Sequence, residues 1–299
     1  MGVKRGFTGG INAWLLGLLL LLLQGGAAFA TEERGGNGLL FRVHAPGGAV
    51  SYLFGTIHSE DRRVLTLPRP VREAFESSRL LAIEVKPDAA LLLASMSVMV
   101  YSDGRDLQSV VGDEIFRRCV EAMAPRGVPE TVVRQFKPWT LATMLSVPPA
   151  ETGEFLDFML NRLAMEQGRE VIGLETVQEQ LEVFDGMDEA DQVALLVDTL
   201  NNLDELPMLN QQLLEAYLER DLRRLAELSE QSMELSGEGL SQRIQERVVD
   251  GRNRKMAERI EALLHDGGVF VAVGALHLPG REGLLQLVRE KGFGVELVY

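Results

Sequence analysis

Two short apolar runs in this chain end in the same way. Val50–Phe54 (VSYLF) leads into Gly55-Thr56-Ile57-His58, and Val269–Val273 (VFVAV) leads into Gly274-Ala275-Leu276-His277. Short runs of apolar and β-branched residues read as buried strands. A glycine at the end of such a run permits a sharp turn or a close backbone approach. In both cases a histidine follows three residues after that glycine. Open α/β sheets hold their ligands beyond the carboxyl ends of the strands, so each histidine is projected at a sheet edge and not into the sheet. One such turn is a weak signal; two, each behind an apolar strand, are much stronger.

The acidic residues repeat the pattern. Glu84 lies inside LLAIEV, and Glu175 follows EVIGL directly. Burying a carboxylate costs several kcal/mol unless it is compensated, so each needs a cation, a histidine partner or a raised pKa. Four strand ends thus supply two histidines and two glutamates, which share one crevice if the four strands are neighbours in one parallel sheet. Plainer roles exist for each residue taken singly: a surface histidine after a turn, or, for Glu175, an N-cap partner of a helix Thr176–Val183. Arg252 and Asn253 open the segment RNRKMAERI. Arg252 is suited to pair with a glutamate or to hold a substrate carboxylate in bidentate fashion; the alternative is a solvated helix face shared with Arg254, Lys255 and Arg259. His44 on a hairpin and His265 beside Asp266 read as surface groups, the latter facing a helix C-terminus.

The order of elements predicts an α/β fold. Leu39–Val43 and Val50–Phe54 flank Ala45-Pro46-Gly47-Gly48 as a hairpin. A short helix over Pro68–Ser78 precedes a strand at Leu80–Val85. Helices are expected over Gly112–Ala124 and Glu154–Glu166, a strand at Glu170–Leu174, and helix again from Glu179 to about Gln231. A charged helix Arg243–His265 stops at Asp266-Gly267-Gly268, and the strand Val269–Val273, a helix Glu282–Lys291 and a strand Gly294–Val298 follow. This is a central mostly parallel or mixed sheet with flanking helices, in one domain over 31–299, with helical insertions at about 88–168 and 179–265. The apolar stretch Ala89–Tyr101 is too short for a span and reads as a buried helix.

Residues 1–30 read as a signal peptide: Lys4 and Arg5, the apolar run Ala13–Leu23, then Ala28-Phe29-Ala30 with cleavage expected before Thr31. Export to the periplasm or the extracellular space is the expectation, with membrane association only through this segment if it is retained. The net charge of −14 disfavours binding to nucleic acid or to an anionic membrane surface through general electrostatics. Cys119 is the single cysteine, which excludes an internal disulfide, and its helical apolar setting predicts an inert thiol. No H-E-x-x-H, strand-borne G-x-S-x-G, Walker loop or cysteine-rich metal pattern occurs.

The segments YLFGTIH, LPRPVREAFESSRLLAIEV, FKPW, GREVIGLETVQEQL, RNRKMAERI and VFVAVGALHLPGREGLLQLVREKGFGVELV, in this order, resemble the TraB/GumN family over nearly the whole chain after residue 30. The pattern is also similar to that of the Tiki proteins, membrane-associated metal-dependent peptidases, and more remotely to erythromycin esterases and haem-binding ChaN proteins. The resemblance implies an α/β fold with two pseudo-related halves around one cleft. It matches His58 and His277 to the family's two Gly-x-x-His histidines, Glu84 and Glu175 to its strand-end glutamates, and Arg252 and Asn253 to its Arg-Asn pair.

Two functional expectations follow. In the first, the chain is a metal-dependent hydrolase acting on a peptide or another small substrate. His58, His277 and one or both of Glu84 and Glu175 bind a divalent cation (Mn, Co or Zn). The glutamate that is not a ligand serves as general base, and Arg252 or Asn253 steadies the oxyanion or the substrate. In the second, it is a non-enzymatic exported protein that binds haem or a peptide, or serves envelope or polysaccharide processes. Met96, Met99 and the apolar segment before them would then line the cleft, although filling gaps in a core is the commoner use of methionine.

Overall fold

A computed structural model describes residues 37–87, 95–234 and 238–299. The expected signal peptide and the start of the Ala89–Tyr101 stretch lie outside these residues. Among the described residues no helix is long and apolar enough to cross a membrane.

The chain forms two compact units. The smaller is built from Pro87–Glu154 and Val177–Leu206 and is helical. Its helix Leu107–Met123 starts earlier than the spacing predicts, because Asp106 and Ser109 form a reciprocal capping box. Gly112, at φ 79°, kinks the helix where the sequence pattern begins. Cys119 is buried there, and burial pushes its thiol up to about 12, which makes it inert.

The larger unit contains Phe155–Thr176, Pro207–Tyr299 and the described part of Leu23–Lys86. It holds a six-stranded sheet of β1 (Leu40–His44), β2 (Val50–Thr56), β3 (Leu80–Val85), β4 (Glu170–Glu175), β5 (Val269–Gly274) and β6 (Gly294–Leu297). Their order is β4-β3-β5-β2-β1-β6. The four strands β4, β3, β5 and β2 run parallel to one another. β1 and β6 complete the sheet through antiparallel pairs. The α/β class with a mixed sheet is therefore as the sequence predicts. β3 and β5 are buried along their whole length, which is why both read as unbroken apolar runs and not as alternating ones.

The connections decide where a ligand can sit. β2→β3 and β3→β4 step one way along the sheet, whereas β4→β5 and β5→β6 step the other way. Right-handed crossovers then place helices Arg69–Ser77 and Leu156–Glu166 on one face, and helices Gly251–Asp266 and Leu284–Glu290 on the other. The first face is packed by Phe75 against Phe270 (ring centroids 5.4 Å) and by Phe54 against Phe270 (5.7 Å). The direction reverses between the neighbours β3 and β5. Ligands of open α/β sheets bind at such a switch point, outside the carboxyl ends of the strands.

Candidate active site at the switch point

Glu84 is at the carboxyl end of β3, beside the switch point. One of its oxygens, Oε1, accepts the backbone N–H of Gly274 at 2.6 Å, which ties the end of β3 to the end of β5. The other, Oε2, accepts Nη2 of Arg252 at 2.7 Å. Glu175 ends β4, the next strand out. Its carboxylate accepts Nε of Arg252 at 3.0 Å on both oxygens and also takes Nη2. Nη1 of the same guanidinium donates to the carbonyl of Val248 at 3.3 Å. Of the two uses the sequence leaves open for Arg252, pairing with a glutamate is the one realised, and it pairs with two. The planar fork of arginine suits this double duty, and lysine's point charge does not.

Arg252 and Asn253 come from the first turn of helix Gly251–Asp266, directly after a π-helical turn, Glu246–Asp250. The sequence predicts one uninterrupted helix over Arg243–His265. The structure instead divides it into helix Glu238–Gln245, the π turn and helix Gly251–Asp266. A π turn inserts an extra residue and re-aims the side chains that follow it. Gly251 accommodates it, since a Cβ there would lie 2.9 Å from the Glu246 carbonyl. Arg252 and Asn253 are buried as a result, at 3% and 0% exposure, unlike the solvated face that was the alternative.

His277 lies in a 3₁₀ turn, Ala275–His277, behind β5 and is fully buried. Its Nδ1 is 2.6 Å from Oδ1 of Asn253. The amide nitrogen of Asn253 donates to the Glu282 carbonyl at 2.7 Å, so the amide oxygen is what faces the ring and Nδ1 carries the imidazole proton. Nε2 then presents a lone pair. It is buried, has no hydrogen-bond partner, and stands 4.0 Å from Oε1 of Glu84.

His58 is placed differently. Its ring stacks on Phe155 (centroids 3.9 Å, planes 21° apart), with Phe158 edge-on at 6.3 Å. Its Nδ1 faces Oδ2 of Asp157 at 4.0 Å, and its Nε2 is buried without a partner. Asp157 is held in turn by the Thr56 hydroxyl, which donates to Oδ1 at 2.9 Å. The two Gly-x-x-His turns pack together closely: a Cβ on Gly55 would come within 3.0 Å of the Cα of Ala275. The structure thus gathers Glu84, Glu175, Arg252, Asn253 and His277 into one hydrogen-bonded and charged cluster. It puts His58 beside that cluster, with Asp157 as its acidic neighbour. Asp157, Thr56 and Phe155 were not singled out from the sequence.

Burial governs the titration of these groups. It raises Glu84 to about 7; Arg252 opposes the shift, while Glu175, then more weakly Asp157, reinforce it. Burial likewise raises Asp157 to about 6, against the Thr56 hydrogen bond. Burial lowers His58 to about 3. His277 falls well below the ordinary histidine value, by burial and then by the nearby Arg252 charge. Both imidazoles are therefore neutral at pH 7, the state in which histidine ligates metals. Their Nε2 atoms, buried and without a hydrogen-bond partner, are of the kind that a divalent cation takes as ligands. Among the described residues no three His, Cys, Asp or Glu side chains stand close enough together to hold an ion already. The remaining histidines stay outside this region. His44 is exposed on β1 near Glu296 (3.4 Å), and the ring of His265 lies against Phe293 at a centroid distance of 4.9 Å.

The chain is 24% identical over 314 residues to "Metalloprotease TIKI2" of Danio rerio, covering 87% of this chain and 61% of that protein. It is also 24% identical over 300 residues to "Metalloprotease TIKI1" of Homo sapiens, covering 82% of this chain and 59% of that protein. The chain thus spans about three fifths of the length of these relatives. It is 24% identical over 252 residues to "Uncharacterized protein YbaP" of Shigella flexneri, covering 83% of this chain and 90% of that protein. No solved structure matches. The pattern of the TraB/PrgY/gumN family runs through residues 39–297, and the chain belongs to that family.

Proposed function

We propose that this protein is an exported, metal-dependent hydrolase that cleaves peptide bonds at the β3–β5 switch point. The observation that carries the reading is Glu84. A carboxyl buried at a strand end, raised to about 7 and 4.0 Å from a neutral imidazole is poised to take and return a proton at neutral pH. The kinship with Tiki metalloproteases supports the choice of reaction class. The expected export rests on the sequence of residues 1–30.

Nε2 of His277 and Nε2 of His58 are the atoms that would hold the cation, with a glutamate oxygen as a further ligand. Bound there, a divalent ion supplies an acidified water and polarises a carbonyl. The chain's own groups do the rest. Glu84 accepts the proton of the attacking water and passes it on to the leaving amine. Arg252 holds Glu175 and Glu84 in place. Asn253 holds the ring of His277 with its lone pair toward the crevice.

The test is metal analysis and peptide cleavage on purified protein beginning at Thr31. Adding Mn, Co or Zn at a hundredfold excess over its Kd is expected to stabilise the fold by about 2.7 kcal/mol. His277→Ala and His58→Ala should abolish this gain, and Glu84→Gln should abolish turnover. Protein that takes up none of the three metals, and cleaves no peptide in their presence, is not a hydrolase of this kind.

A further inference from the structure

The two histidines have different surroundings, yet their ring nitrogens are treated alike. In His277, Nδ1 meets a side-chain oxygen, that of Asn253, at 2.6 Å, and Nε2 is buried with no partner. In His58, Nδ1 faces a side-chain oxygen of Asp157 at 4.0 Å, and Nε2 is again buried with no partner. The carboxylate of Asp157 is not loose. Thr56, two residues before His58 on β2, donates its hydroxyl to Oδ1 at 2.9 Å, which leaves Oδ2 turned to the ring. Phe155, two residues before Asp157, stacks on the same imidazole at 3.9 Å and fixes its plane. One short segment at the start of helix Leu156–Glu166 therefore fixes both the plane and the electrostatic surroundings of His58.

We infer that Asp157 is a positioning residue for His58, setting the proton on Nδ1 and the lone pair on Nε2, as Asn253 does for His277. The physical basis is the negative potential of Oδ2 at Nδ1, which favours an N–H there over a lone pair. At 4.0 Å the contact is electrostatic and not a hydrogen bond. Phe155 and Phe158 exclude water from the ring and so keep that potential from being screened. The outcome is a pair of imidazoles that both present Nε2, one behind each of the neighbouring strands β2 and β5. An acceptor on the other ring nitrogen is how ligating histidines are commonly held. The use of this device rests on the reading of Nε2 as a metal-facing atom; the tautomer itself does not.

The test is a two-bond ¹H–¹⁵N correlation spectrum of metal-free protein labelled in histidine. His58 and His277 are both expected to show the Nδ1–H pattern. Asp157→Asn should move His58 to the Nε2–H pattern or to a mixture and leave His277 unchanged. In that variant Thr56 still donates to the amide oxygen, so the amide N–H₂ is turned toward Nδ1 and repels a proton there. Asp157→Ala should give the same result without a new donor, and Asp157→Glu should restore the parent pattern. The unmoved His277 signals report that the fold is intact. Nε2–H at His58 in the parent protein overturns the inference, and so does an Nδ1–H pattern that survives in both Asp157→Asn and Asp157→Ala. Zinc titration of the same samples is expected to show a 10- to 100-fold weaker Kd in Asp157→Asn. If the parent binds no divalent metal while the spectra behave as expected, the metal-dependent reading fails and the positioning role stands.

Discussion

The two Gly-x-x-His turns share a sequence pattern, but not a backbone or a chemistry: His277 closes a 3₁₀ turn, whereas β2 runs on through Thr56 before His58. Thr56 and Gly274 are paired across adjacent parallel strands, so the sheet presents both turns at one edge. Their partners come from different faces. His277 is met by helix Gly251–Asp266, which brings Asn253 and, through Arg252, two carboxylates. His58 is met by helix Leu156–Glu166, which brings one carboxylate and two aromatic rings. The strands decide where an imidazole stands; helices far away in the chain decide what it can do. One turn lies in a charged environment that holds three ionic groups, and the other in an aromatic one that holds a single acid.

The difference should be largest in stability. Replacing Arg252 with Met leaves Glu84 and Glu175 buried without their cation, and removing one partner of a buried ionic cluster costs about 3–5 kcal/mol. Asp157→Asn, beside His58, keeps the Thr56 hydrogen bond and should cost about 1 kcal/mol. Urea denaturation of the two variants makes the comparison. Equal losses would mean that the charged cluster carries no more of the fold than the aromatic side does, and the asymmetry would be one of composition only.

A second expectation concerns pH, for protein stripped of metal. Glu84 titrates near 4.5 when unfolded and near 7 in the fold. Between those values the native state holds the extra proton, so stability falls as pH rises, by about 3 kcal/mol in all. His58 works in the opposite sense. It titrates near 6.5 when unfolded and near 3 in the fold, so the unfolded chain binds the extra proton and stability falls as pH drops. By pH 5 that loss is about 2 kcal/mol. Glu84→Gln should lessen only the decline toward neutral pH, to which the raised Asp157 also contributes, and His58→Phe only the acid one, to which the lowered His277 also contributes. A Glu84→Gln stability curve parallel to the parent's from pH 4.5 to 7 would show that the glutamate does not carry the proton assigned to it.

Much of this arrangement is legible in the sequence, for a physical reason. Parallel strands buried on both faces must be apolar throughout, so LLAIEV and VFVAV announce themselves, and an acid inside such a run is conspicuous. Glu84, Glu175 and the two turn histidines are visible on those grounds, and Arg252 and Asn253 by their place on the helix that feeds β5. Asp157 is not, although it leaves a trace. It shares the face of its helix with Leu160 and Ala164, both fully buried, and a lone acid on an apolar helix face needs a partner as much as one in a strand does. Reading only the periodicity of Glu154–Glu166 hides it. The π turn before Arg252 is harder to see, because one extra residue shifts an apolar stripe without interrupting it. The Glu282 carbonyl that orients Asn253 is backbone and has no signature in the sequence.

The smallest expected effect isolates the contact between the two turns. Gly55 and Gly47 are both glycines of the β1–β2 region, and neither has a positive φ. A Cβ on Gly47 meets nothing within 4 Å, so Gly47→Ala should be neutral or slightly stabilising, by less than about 1 kcal/mol, through the restricted unfolded chain. A Cβ on Gly55 meets Leu278 at 2.8 Å and the backbone of Ala275 at 3.0 Å. The leucine end can move, but the Ala275 backbone is part of the turn that carries His277. Gly55→Ala should therefore cost about 1–2 kcal/mol as overpacking and push the two turns apart. Thermal melts give the sign of each change, and metal titration gives its consequence: weaker affinity in Gly55→Ala and none of that weakening in Gly47→Ala. Should Gly55→Ala bind metal as the parent does, the close approach of the two turns serves only to pack the sheet edge, and the histidines do not depend on it for their spacing.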